Sequence, residues 1–130
     1  MQGRRAYSVW LGSALLTITA LFHFTGYFEI PAPQPGLGSP SFFDATLKPL
    51  WIFASLHWLL TAAICLLIAR GEPSVAQIIL LVCAGVLILD AILLYIFIGP
   101  FIGEALLTAA ALMFVVGAYK VHAGVKTERF

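Results

Sequence analysis

A chain of 130 residues that is 62% hydrophobic and 10% charged is far more apolar than a soluble domain, which is about half apolar and about a quarter charged. This composition predicts an all-α integral membrane protein, and once about 20 residues are allotted to each crossing little chain remains for a soluble domain. The formal net charge of +1 offers no electrostatic basis for a nucleic-acid partner.

Proline, glycine and charged residues divide the chain into four apolar stretches, at 6–26, 49–69, 74–98 and 101–120. Together they predict an antiparallel four-helix bundle, a single transmembrane domain covering 1–130 with an outer loop at 27–48. Arg4 and Arg5 precede the first stretch, Arg70 follows the second, and Lys120, Lys126 and Arg129 end or follow the last; Lys48 alone falls on the other side. By the positive-inside rule both termini are expected in the cytoplasm. Arg4-Arg5 before an apolar run has the outline of an export signal. No small-x-small cleavage site follows, however, and Gln2-Gly3 and Ala6-Tyr7 do not supply the twin-arginine context, so the pair is expected to anchor topology.

On the first span Gly12, Thr19, His23 and Gly26 recur at steps of seven, four and three. They share one small, polar face, expected to point inward. The Pro- and Gly-rich segment 31–40 suits neither helix nor strand and is read as a stiff, partly polyproline-like excursion. Ser41 then caps a short interfacial turn at 41–47, with Phe42 and Phe43 at the headgroup boundary. A loop of this length also suggests a lid over the polar residues.

On the second span His57 shares a stripe with Phe53, Leu60, Thr61 and Ile64, while Trp58 reads as packing or lipid contact. Gly71 and Pro73 suit a helix end and the next helix start. The third span carries Asp90, with Tyr95 read as a donor to the polar cluster or a member of the outer aromatic belt, and ends at Gly99-Pro100. The fourth carries Glu104 beside Gly103, Ala110, Gly117 and Gly124, a seam of small residues every seven positions that lets another helix approach closely.

His23, His57, Asp90 and Glu104 thus lie inside apolar spans, where an ionisable group costs at least about 2.5 to 3.5 kcal/mol and marks a candidate site. Counting the ~1.5 Å rise per residue, His57 and Asp90 each lie about 12 to 13 Å below the outer surface. They share a level, and a hydrogen bond between them is expected to satisfy both groups and fix the imidazole tautomer. His23 and Glu104 form a shallower pair near the mouth. The plainer alternatives are that His23 and Glu104 snorkel to the interface, beside the belt residues Trp10, Trp51, Tyr7, Tyr27 and Tyr119, and that His57 is structural. His122 is expected at the cytoplasmic interface.

Other chemistries fit the spacing poorly. Cys65 and Cys83 differ in depth by about 6 Å and form no Cys-x-x-Cys, which argues against quinone-linked disulfide chemistry. Glu-x-x-His and His-x-x-x-His are absent, so no metal site is expected. Haem held by His23 and His57 would need two ligands flanking one iron, yet their depths differ by about 9 Å; the cofactor is left open.

In size, topology and hydropathy the chain resembles the small four-helix membrane proteins of bacteria, a resemblance that implies the inner membrane. It lacks the paired cysteines of quinone-dependent disulfide enzymes and the first-span glutamate of small multidrug exporters, carrying His23 instead. The leading expectation is an outer-half polar pocket, with His23, His57, Asp90 and Glu104 binding an apolar ligand, or an accessory subunit docked on a membrane-protein partner. One alternative is a lipid- or isoprenoid-directed enzyme with His57 and Asp90 as catalytic acid and base. Another is proton-coupled transport by a homo-oligomer.

Overall fold

The computed structural model describes residues 2–31 and 42–127, with side chains placed for 7–31, 42 and 45–120. Four long helices make an all-α bundle: α1 (Gln2–Thr25), α2 (Phe42–Ile68), α3 (Pro73–Ile98) and α4 (Ile102–Thr127), with a 3₁₀ turn at Gly26–Glu29 after α1. All four are long and apolar enough to cross a membrane, over Tyr7–Glu29, Ala45–Ile68, Pro73–Ile98 and Ile102–Lys120. Their outward faces carry large apolar side chains such as Ile18, Leu21, Leu67, Ile78, Ile96 and Phe97. Surface of that kind is stable against lipid and costly against water.

The second helix starts earlier than its sequence suggests. The turn expected at 41–47 is the first part of α2 from Phe42 onward, continuous with the span and running through Pro49. Pro49 donates no N–H to the carbonyl four residues back. A membrane helix tolerates this where water or polar groups can reach the freed carbonyl. The expected cap at Ser41 and most of the lid segment lie outside the described residues, as does the side chain of His122.

The short connections are built as their residues suggest. Glu72 caps α3 by accepting from the Val75 N–H at 2.9 Å, with Pro73 in the first turn. Gly99 ends α3 with φ 91°, and its N–H donates to the Tyr95 carbonyl at 3.0 Å. Only glycine takes that backbone conformation without a Cβ penalty.

Packing is uneven. α3 lies most extensively on α4, α1 packs on both α4 and α2, and α2 meets α3 only sparsely. The helices therefore form an arc in the order α2, α1, α4, α3, with a thin seam where its ends meet. Small residues draw the middle of the arc together. A Cβ built on Gly12 would lie 2.8 Å from Phe114 Cε1, and one on Gly117 would lie 2.8 Å from Val9 Cγ2. On α3 the buried stripe is Ala76, Leu80, Ala84, Leu87 and Ala91, of which Leu80, Ala84, Leu87 and Ala91 share one core with Leu107, Ala110, Ala111, Phe114 and Ala118.

Candidate functional site

The α2/α3 seam holds the main polar cluster. Asp90 Oδ2 accepts from Trp58 Nε1 at 2.9 Å and lies 3.4 Å from His57 Nε2. The second distance is longer than an ordinary N–H···O bond. It is a close electrostatic contact, and an ion pair when the ring carries its second proton. The hydrogen bond that the sequence assigned to His57 is thus made by Trp58, whose indole N–H holds the same carboxylate oxygen. Trp58 is 3% exposed. The side chains of His57 and Asp90 are 35% and 27% exposed and border an open groove of about 380 Å³ lined also by Phe53, Ala54, Val86, Leu93 and Leu94.

His23 belongs to an adjoining aromatic cluster and does not pair with Glu104. Its ring stacks on Trp51, with centroids 4.2 Å apart and planes at 13°, and meets Trp58 edge-on at 4.9 Å. His23 Nδ1 lies 3.0 Å from Ser55 Oγ, and Ser55 Oγ also reaches the Trp51 carbonyl at 3.5 Å. Ser55 has one proton to give. Both bonds form together only if His23 donates from Nδ1 and Ser55 donates onward. Trp51 Nε1 donates to the His23 carbonyl at 2.6 Å, satisfying one of the last-turn carbonyls that α1 itself leaves open. Gly26 makes room for this indole, since a Cβ there would lie 2.6 Å from Trp51 Cζ2.

Depth counting separated His23 from the His57 level, yet Trp58 joins them. Side chains on a helix lean toward its N-terminus. α1 and α2 are antiparallel, so His23 leans down the bundle while Trp58 leans up, and the two rings meet between their backbone levels. The same lean brings the side chains of Cys65 and Cys83, two free thiols, nearer in level than their backbone positions.

Glu104, expected to pair with His23, stands apart. Its Oε2 is fully enclosed and has no hydrogen-bond partner among the described residues. The stripe that His57 shares is divided by the packing. Phe53 and Leu60 are 67% and 64% exposed, while Thr61 is buried together with Ser55, Trp58, Ala62 and Cys65. His57 sits on the border between the two stripes, one residue or about 100° around the helix from Trp58. Ser55 and Trp51 were missed as site residues, although Trp51, Ser55 and Trp58 at i, i+4 and i+7 form a helical stripe with polar atoms at each step.

Among the described residues no three His, Cys, Asp or Glu side chains converge to hold a metal ion. The arrangement offers instead a carboxylate and an imidazole on the wall of an apolar groove, backed by a buried indole. Compared with family models, curated proteins and solved structures, the chain matches none.

Proposed function

We propose that the protein is a multi-pass protein of the bacterial inner membrane, with both termini cytoplasmic, that takes an apolar ligand with one hydrogen-bonding or cationic group from the bilayer into the α2/α3 groove. The observation that carries this proposal is the placement of His57 and Asp90 on the wall of an otherwise apolar groove where α2 and α3 pack only sparsely. Ligand pockets are mostly apolar with a few placed polar groups, and a polar pair in the membrane is expensive unless a partner uses it. The orientation is supported by the excess of Arg and Lys on one side, Arg4, Arg5 and Arg70 against Lys48. The bacterial location is supported by the resemblance in size and hydropathy.

The test is purification from native membranes followed by mass spectrometry of the extracted small molecules. A species retained by the wild type and depleted in both Asp90→Asn and the groove-filling Ala54→Trp is the expected result. Identical extracts from all three proteins would sink the proposal, as would a stoichiometric protein subunit in their place.

A second function is favoured by the relation of His57 to Asp90. A partly exposed imidazole with a carboxylate behind it is the arrangement of a general acid–base pair, here facing a space that a lipid or isoprenoid chain can enter. An enzyme of this type would convert the retained species on prolonged incubation and lose that conversion in His57→Gln while still retaining the species. Unchanged material in the wild type removes the catalytic function and leaves binding intact.

A further inference from the structure

A second groove, of about 480 Å³, lies higher on α2 and is lined by Tyr27, Lys48, Pro49, Ile52, Phe53 and Leu56. One positive charge stands at its upper end and apolar side chains form the rest. Lys48 Nζ rests 5.3 Å from the centroid of the Tyr27 ring, and among the described residues it has no carboxylate within ion-pair distance. An aromatic face holds the ammonium group at the upper end of the groove.

The dimensions suit one kind of occupant. From Lys48 to Leu56 the helix descends about 12 Å at ~1.5 Å per residue, close to the ~15 Å that is half of a ~30 Å hydrocarbon core. Lys48 and Tyr27 then stand at headgroup level, where Lys and Tyr are common anchors. Ile52, Phe53 and Leu56 lie at the depth of an acyl chain in the same leaflet. A cation above a slot of leaflet depth matches a molecule with an anionic head and an apolar tail.

We infer that the groove between the Gly26–Glu29 turn and the first turns of α2 binds an anionic phospholipid, with its phosphate at Lys48 and an acyl chain along Ile52, Phe53 and Leu56. This assignment needs the bundle to span a bilayer. It is independent of any ligand of the His57–Asp90 groove, which lies on the far side of Phe53.

The experiment reconstitutes the full chain into vesicles containing equal amounts of phosphatidylglycerol and phosphatidylcholine with identical acyl chains, and counts retained lipids by native mass spectrometry. A basic residue near a membrane surface contributes about 1 kcal/mol toward anionic lipid, corresponding to about a five-fold preference. The wild type is expected to retain phosphatidylglycerol with about that preference over the variant Lys48→Gln, and Lys48→Arg is expected to keep it. Arg4, Arg5 and Arg70 are unchanged in all three proteins, so the difference isolates Lys48. Equal lipid ratios in the wild type and Lys48→Gln would overturn the assignment. So would loss of the preference in Lys48→Arg, provided that variant keeps the wild-type helical circular dichroism.

Discussion

Asp90 Oδ2 is the atom on which the polar cluster turns. It takes the Trp58 N–H at 2.9 Å and stands 3.4 Å from His57 Nε2, so residues adjacent in sequence reach one oxygen from different sides of α2. Polar bonds between membrane helices contribute about 0.6 kcal/mol on average and up to about 1.7 kcal/mol. A double-mutant cycle of Trp58→Phe and Asp90→Ala, read by reversible unfolding in mixed micelles, is therefore expected to show a coupling in that range. Additive losses would mean that the bond contributes nothing to stability. At His23 the ring contacts and the bond to Ser55 separate by substitution. His23→Phe keeps stacking on Trp51 and leaves Ser55 its bond to the Trp51 carbonyl, so it should cost less than about 1 kcal/mol. His23→Ala also removes the packed ring and should cost about 2 to 4 kcal/mol. Equal losses in the same unfolding assay would refute this division. That His57 and Asp90 share a level was legible from the helical rise alone. That Trp58 completes the cluster was not, because an indole among leucines carries no sign of where its N–H points.

At the scale of the helices, glycine decides how near α1 and α4 come. A methyl group on Gly12 would meet the Phe114 ring at 2.8 Å, whereas one on Gly85 would meet nothing within 4 Å. Gly12→Ala is expected to destabilise the bundle by about 1 to 3 kcal/mol through overpacking, with partial recovery when Phe114→Leu is added. Gly85→Ala should be neutral or stabilising by up to about 1 kcal/mol, from helix propensity. Thermal unfolding of the four proteins in one detergent checks both, and equal effects at Gly12 and Gly85 would contradict the packing described. The heptad of small residues on α4 could be read from the sequence. Its partner could not, since the same seam serves any helix with a complementary ridge.

For the whole molecule, the arc α2, α1, α4, α3 leaves only a sparse contact between two helices joined by a very short connection. Proximity in sequence ties α2 and α3 at one end, but the close approach of α1 to α4 occupies the centre and leaves a groove along the seam. Topology is testable on the intact protein. In a background of Cys65→Ala and Cys83→Ala, Glu29→Cys is expected to react with an impermeant maleimide added outside intact cells, and Arg70→Cys only after permeabilisation. The opposite pattern would invert the proposed orientation.

Composition and punctuation were sufficient for four apolar helices and for the shared level of His57 and Asp90, because both follow from local quantities: transfer free energy per residue and a fixed rise. Helix ends were legible where Gly99 or Pro73 imposed them. They were misplaced at α2, where Pro49 reads as a start but sits inside a helix already begun. Which way each helix turns was decided only by tertiary packing. Rotation about the axis is set by the neighbours that the small residues admit, and on α2 it chose the stripe of Ser55, Trp58 and Cys65 over that of Phe53 and Leu60. It thereby separated His23 from Glu104, gave His23 to Ser55 and two tryptophans, and set His57 beside Asp90 on the wall of a groove.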